Sequence, residues 1–106
     1  MDERQCVTKT IKIIGSKWTI LILHELCEGT KRFGELERSL KGISPKTLSQ
    51  RLKDLEKSGV VSKKVYPTVP LKVEYSLTEK GKSLKEIIDK MVEWGSREGE
   101  ISRKRA

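Results

Sequence analysis

The chain has 106 residues, of which 36% are charged and 35% hydrophobic, and it carries a formal net charge of +8. This length fits one small domain, and the excess positive charge favours a polyanion or a membrane surface as partner. No apolar run approaches the roughly 18 residues of a transmembrane helix, and no signal peptide is recognisable. We therefore expect a cytoplasmic protein without a membrane partner.

The sequence offers little for catalysis or metal binding. Two cysteines, Cys6 and Cys27, and the single histidine, His24, are too few for a zinc site. No Gly-rich phosphate loop and no Ser-His-Asp set is present. We predict that the protein is not an enzyme, and that it has no catalytic residue, no metal and no cofactor.

Apolar periodicity predicts three helices in the first part of the chain. The first is expected over 7–14, and Ser16 is expected to cap a largely buried second helix over 17–27. A short extended piece over 30–32 then leads into a third helix. The apolar residues of that third helix are Phe33, Leu36 and Leu40.

A fourth helix is predicted over 44–58, after a tight turn. Ser44 is a favoured N-cap, and Pro45 suits the first helical position because its missing N–H has no partner there. The predicted buried stripe of this helix consists of Leu48, Leu52 and Leu55.

The period then changes from helical to alternating. Strands are predicted over 60–66 and 72–77, and they flank a turn that contains Pro67 and Pro70. A long helix is predicted to begin at Thr78. Its apolar stripe consists of Leu84, Ile87, Ile88, Met91 and Trp94.

This order of elements predicts a mainly α domain with a small β-hairpin, a winged helix-turn-helix. The middle third, 41–72, holds 8 basic and 2 acidic residues, net +6, and so coincides with the second helix of the motif and the hairpin. The predicted segments are the helix-turn-helix 33–58, the wing 60–77, the dimerisation helices 1–14 and 78–100, and a basic tail 101–106.

The outward side of the helix over 44–58 is predicted to contact double-stranded DNA. Lys46, Thr47 and Gln50 lie in its N-terminal part, which reads base edges in this motif. Arg51 and Lys53 are assigned to the phosphate backbone. The complete predicted set is Arg32, Ser44, Lys46, Thr47, Gln50, Arg51, Lys53, Lys63, Lys64 and Lys72.

The last helix offers more large apolar residues than a domain of this size covers. The remainder predicts a two-fold dimer that presents two recognition helices to successive major grooves. The predicted dimer interface consists of Ile11, Ile14, Ile87, Ile88, Met91 and Trp94.

Several stretches, in this order, resemble one protein family over nearly the whole chain. They are IGSKWT at 14–19, RFGEL at 32–36, GISPKTL at 42–48, LKDLEKSG at 52–59, VYPTVP at 65–70, VEYSLTEKG at 73–81 and WG at 94–95. They resemble the HxlR-type winged helix-turn-helix regulators, a branch near the MarR group. The resemblance implies a homodimeric DNA-binding transcription regulator that dimerises through its first and last helices.

The same resemblance draws attention to Cys6. Many members of the family carry a cysteine just before the first helix, and in some members it senses oxidants or electrophiles. This chain departs from the common pattern at Val7, where a proline often follows. A redox sensor at Cys6 and an unreactive thiol near the terminus both remain open, whereas Cys27 is interpreted as a core residue.

The leading functional hypothesis is a sequence-specific repressor. It binds an inverted-repeat operator as a homodimer, with 44–58 in the major groove and 60–77 on the backbone or in the minor groove. The alternatives are an architectural protein that binds DNA without sequence preference, and a regulator that senses oxidants or electrophiles through Cys6. A small-molecule effector is left open.

Overall fold

The computed structural model describes the backbone of residues 1–105 and the side chains of residues 1–98. Helices make up most of it, with one small antiparallel sheet, as the sequence predicts. The elements are α1 Glu3–Ile14, α2 Lys17–Cys27, β1 Lys31–Arg32, α3 Phe33–Ser39, α4 Pro45–Lys57, β2 Val61–Tyr66, β3 Lys72–Leu77, α5 Glu79–Lys82 and α6 Lys85–Arg105.

The first helix begins four residues earlier than predicted. The Asp2 carboxylate accepts from the Gln5 backbone N–H at 2.8 Å, and the Gln5 side chain accepts from the Asp2 backbone N–H at 2.8 Å. This reciprocal capping box satisfies two N–H groups that otherwise lack an intrahelical partner. Apolar periodicity starts only at Val7, so it does not reveal the polar first turn of this helix.

The hairpin is joined by a third strand. β3 lies in the middle of the sheet, between β1 and β2, and both pairings are antiparallel. Lys31 lies opposite Tyr75, and Arg32 lies opposite Glu74. The extended piece predicted before α3 is therefore a strand that holds the start of α3 against the middle of β3.

The core lies between α2, α3, α4, α6 and the sheet. The predicted leucine stripe of α4 is confirmed, because Leu48, Leu52 and Leu55 are buried. Half-buried Trp18 and Leu21 of α2 pack against this core. The largest fully buried side chains are Ile22, Leu23, Leu36, Leu48, Leu52, Leu55, Val60 and Ile88. Burial of one side of α4 fixes the opposite side toward solvent.

The single long helix predicted from Thr78 is two helices. The Thr78 side chain caps the short α5 by accepting from Gly81 N–H at 3.1 Å, and a turn at Ser83 and Leu84 separates α5 from α6. The backbone of residues 101–105, predicted as part of the basic tail 101–106, continues α6, and Ala106 lies outside the described residues. Helical periodicity continues across such a turn, so the break was not visible in the sequence.

A close junction holds α5 against the link between α4 and β2. Thr78 N–H donates to the Val60 carbonyl at 3.1 Å, and the Thr78 hydroxyl donates to the Gly59 carbonyl at 2.6 Å. The Lys80 ammonium donates to the Ser58 carbonyl at 2.8 Å. Gly81 lies so close to Val60 that a Cβ at this position would overlap the Val60 carbonyl. This junction sets the position of α4 relative to the wing and α6.

Candidate nucleic-acid interface

The outward face of α4 is polar and basic. Ser44 caps the helix by accepting from Thr47 N–H at 3.1 Å, and its hydroxyl donates to the Thr47 hydroxyl at 2.9 Å. Lys46, Gln50 and Lys53 are exposed on the side opposite the buried leucines, whereas Thr47 is half-buried. Among the described side chains, Lys46 and Lys53 form no ion pair. Their ammonium groups are thus available to a phosphate or a base edge.

Two of the predicted DNA-binding residues share one carboxylate, that of Asp54. Gln50 Nε2 donates to Asp54 Oδ1 at 3.0 Å, and Arg51 Nη1 lies 3.8 Å from Asp54 Oδ2. The Arg51 Nε atom is buried and has no hydrogen-bond partner among the described atoms. Asp54 is not among the residues predicted to contact DNA. Its spacing of four from Gln50 and three from Arg51 is the signal that predicts contact on a helix surface.

One basic residue near the tip of the wing, Lys72, lies beside the start of α3. Arg32, the N-terminal cap residue of α3, is exposed, and its backbone N–H donates to Glu35 Oε1 at 2.9 Å. Arg32 and Lys72 line the same shallow concavity of about 280 Å³. The third strand therefore brings together two predicted DNA-binding residues that are forty positions apart in the sequence.

The hairpin lysines do not form one row. Lys63 lies opposite Tyr75 and Lys64 lies opposite Glu74, so the two neighbours project from opposite faces of the sheet. Lys63 shares its face with the buried Tyr75, and Lys64 shares the other face with Lys72. The three lysines were predicted as members of one DNA-binding set, but they lie on two faces of the sheet.

Tyr66 holds two of these lysines in place. The Lys64 ammonium lies 4.9 Å from the centroid of the Tyr66 ring, and the Lys72 ammonium lies 4.8 Å from it. The Tyr66 hydroxyl donates to Glu74 Oε1 at 2.9 Å, and Lys72 Nζ lies 3.5 Å from Glu74 Oε2. Cation–π attraction and hydrogen bonding thus hold two positive charges, exposed Lys64 and half-buried Lys72, against this face of the sheet. Tyr66 is not among the functional residues predicted from the sequence.

The Tyr66 hydroxyl lowers the pKa of Glu74, and nearby Lys72 and Arg32 lower it further. A carboxyl whose folded pKa is lowered contributes its interaction above its usual pKa and loses it as the pH falls through the lowered value. Tyr66→Phe keeps the ring and removes the donor, so we expect the pKa of Glu74 to rise toward its usual range. An NMR titration of the Glu74 carboxyl carbon measures this shift.

The matched control is Tyr75→Phe, because Tyr75 lies on the opposite face of the same strand as Glu74. It removes a hydroxyl of the same kind without touching the Glu74 contact. An unchanged Glu74 pKa in Tyr66→Phe, or an equal rise in Tyr75→Phe, contradicts the assigned hydrogen bond.

The residues predicted for the dimer interface divide into two groups. Ile14 and Ile88 are 9% and 2% exposed and pack within the protomer core, so their assignment to the interface was wrong. Ile88 belongs to the core cluster, and α6, which carries it, packs against α2. The other predicted residues, Ile11, Ile87, Met91 and Trp94, are exposed, as are Val7 and Val92.

The two cysteines have different surroundings. Cys6 is exposed and lies inside α1 rather than before it, because the capping box moves the start of the helix to Glu3. Cys27 is half-buried at the end of α2 and packs against the core. Burial raises the pKa of the Cys27 thiol, the negative Asp89 raises it further, and Lys85 opposes this. Cys27 therefore stays protonated and acts as a packing residue.

In the structure, a helix-turn-helix is followed by a hairpin, and the second helix of the motif has a basic, exposed face. These features define a winged helix-turn-helix protein. Residues 13–103 match the model of the HxlR-like helix-turn-helix family. The chain belongs to this family, and it is a helix-turn-helix transcriptional regulator. The family membership that the sequence motifs suggest is therefore confirmed.

Individual relatives agree with this assignment. The HTH-type transcriptional regulator YdzF of Bacillus subtilis is 46% identical over 91 residues, which cover 85% of this chain and 84% of YdzF. The redox regulator HypR in its reduced form is 39% identical with a TM-score of 0.87, and the match covers 92% of this chain and 97% of HypR. The reduced form of the regulator YodB of Bacillus subtilis is 37% identical with a TM-score of 0.77, and the match covers 92% of this chain and 93% of YodB.

Two further features concern the described part of the chain. None of its helices is both long enough and apolar enough to cross a bilayer. Within the same residues, no three His, Cys, Asp or Glu side chains come together as metal ligands would.

Proposed function

We propose that this chain acts in the cytoplasm as a homodimeric repressor that binds an inverted-repeat operator. The observation that carries the proposal is the outward face of α4, where Lys46, Gln50 and Lys53 are exposed opposite a fully buried leucine stripe. A helix of this kind fits the major groove, and its N-terminal residues then contact base edges. Lys63, Lys64 and Lys72 of the wing contact the backbone or the minor groove.

The homodimer supplies the two-fold symmetry that an inverted repeat requires. The exposed apolar residues of α1 and α6 support this part of the proposal, because large apolar side chains at the surface of a small protein favour a partner. A second copy of the same chain buries them and places two α4 helices about 34 Å apart, on one side of the duplex.

Selection of binding sites from random duplex DNA tests the proposal directly. A homodimeric repressor selects an inverted repeat, and occupancy of that site blocks transcription from an overlapping promoter in a purified system. Equal affinity for all sequences, with a steep salt dependence, identifies an architectural DNA-binding protein instead.

Gln50→Ala is expected to relax base preference at one or two positions of the selected site. An amide that pairs with adenine through N6 and N7 discriminates against a wrong base by about 1–3 kcal/mol, and alanine forms neither bond. Site selection with the variant and the parent measures this change. A uniform loss of affinity with unchanged preference contradicts base reading by Gln50.

Cys6 supports a second candidate, a regulator controlled by oxidants or electrophiles. Its thiol is exposed on α1, within one turn of the exposed Val7 and two turns of Ile11. A bulky or charged adduct at this point is expected to disturb the same helix that supports the proposed dimer. The solved relative HypR, which bears the description of a redox regulator, is consistent with this candidate.

Cys6→Ser is expected to abolish any effect of an oxidant such as diamide on operator affinity. Serine conserves size and removes the reactive sulfur. Operator affinity is measured by fluorescence anisotropy before and after the oxidant, with Cys27→Ser as the control for the other thiol. An oxidant response that survives in Cys6→Ser contradicts this second candidate.

A further inference from the structure

We propose that Asp54 is a specificity-determining residue, which makes Gln50 read adenine in preference to guanine. The inference rests on the proposed function. It starts from one contact on the outward face of α4, in which Gln50 Nε2 donates to Asp54 Oδ1 at 3.0 Å. Gln50 is exposed and Asp54 is half-buried, so the pair lies at the surface that α4 offers to a groove.

The chemistry of the carboxylate fixes the orientation of the amide. An ionised carboxylate accepts hydrogen bonds and cannot donate them, so the Gln50 amide must turn its nitrogen, not its oxygen, toward Asp54. One N–H of Nε2 is then used within the protein. The groups that remain for DNA are one N–H donor and the Oε1 acceptor.

This remaining pair complements one purine and not the other. In the major groove, adenine offers the N7 acceptor and the N6 donor, which match one donor and one acceptor. Guanine offers two acceptors, N7 and O6, and a glutamine that binds both must use both of its N–H groups. Because Asp54 occupies one of them, the pair with guanine loses a hydrogen bond.

The charge of Asp54 has a separate effect. Asp54 and Glu56 are the two acidic residues of the +6 segment 41–72. Asp54 Oδ2 lies 3.8 Å from Arg51 Nη1, and so offsets the charge that Arg51 presents to phosphates. A negative charge at this position weakens binding to every duplex alike, whereas the hydrogen bond with Gln50 discriminates between bases.

Glu56 provides a matched control. It lies on the same helix and carries the same charge, but it is half-buried on the other flank. There, burial raises the pKa of Tyr75 and the charge of Glu56 raises it further. Glu56→Gln therefore removes one negative charge from α4 without changing the Gln50 contact. Asp54→Asn removes the same charge and replaces an obligate acceptor by an amide that pairs with Gln50 in either orientation.

The experiment measures the affinity of the full chain for its selected site and for the same site with the Gln50-dependent adenine replaced by guanine. The wild-type ratio is expected to be about tenfold or more in favour of adenine. Asp54→Asn is expected to reduce it to under about threefold, while Glu56→Gln leaves it unchanged. Both variants are expected to bind random duplex more tightly than the parent, and circular dichroism checks that each is folded.

Two results overturn the inference and leave the proposed function intact. One is an adenine-to-guanine ratio in Asp54→Asn equal to that of the parent. The other is a Gln50-dependent position at which the wild type selects guanine. A wild-type protein that selects no sequence at all overturns the proposed function, and the inference falls with it.

Discussion

Met91→Glu is expected to convert the protein to a monomer and to weaken operator binding by about 100-fold or more. Met91 is 43% exposed and lies on one stripe of α6, between Ile87 and Trp94. Ile87 is 40% exposed and Trp94 is 61% exposed. An unpaired carboxylate buried against such side chains costs several kcal/mol, so the proposed interface does not form. A monomer then binds one half-site at a time and loses the gain from linked binding.

Sedimentation velocity at micromolar concentration gives the oligomeric state, and fluorescence anisotropy gives the operator affinity. Ser96→Glu is the matched control, because it introduces the same charge on the opposite side of α6 at an exposed position. It is expected to remain a dimer with nearly parental affinity. A Met91→Glu protein that sediments as a dimer contradicts the assignment of this stripe to the interface.

Much of the fold could be predicted because local sequence signals mark its helices and strands. Ser16 and Ser44 cap α2 and α4 where the sequence places them, and the leucines at helical spacing in α4 are buried. The features that could not be predicted depend on contacts between residues that are distant in the sequence. The sequence predicts extended backbone over 30–32, but not that β1 pairs with β3. The break between α5 and α6 follows Gly81, which lies against the Val60 carbonyl.

The sequence predicts which residues of α4 form the candidate site, but not which contacts those residues make with one another. Charge and amphipathicity pick out Lys46, Gln50 and Lys53, and all three are exposed on α4. The same patterns do not reveal which polar groups already have partners, such as the bond between Gln50 and Asp54. Nor could apolar spacing separate Ile88 from its neighbour Ile87, because a residue at the edge of a helical stripe serves either the core or the surface.

Gly81→Ala is expected to lower the free energy of unfolding by about 3 kcal/mol, the upper part of the range for overpacking. The added methyl group would overlap the Val60 carbonyl and lie against Leu77, and a backbone atom cannot swing away as a flexible side chain does. The shift must separate α5 from the link between α4 and β2. For a domain of this size, the midpoint of thermal unfolding falls by about 12 °C or more.

Gly34→Ala is the control, since it makes the same chemical change in α3 with only the flexible end of Arg38 nearby, at 3.5 Å. Alanine favours a helix over glycine by up to about 1 kcal/mol, so this variant is expected to unfold at a slightly higher temperature. Calorimetry at one fixed protein concentration compares the variants, because dimerisation makes the midpoint concentration-dependent. If Gly81→Ala and the parent unfold at the same temperature, the α5 junction tolerates a shift. The position of α4 relative to the wing and α6 then does not depend on close packing at Gly81.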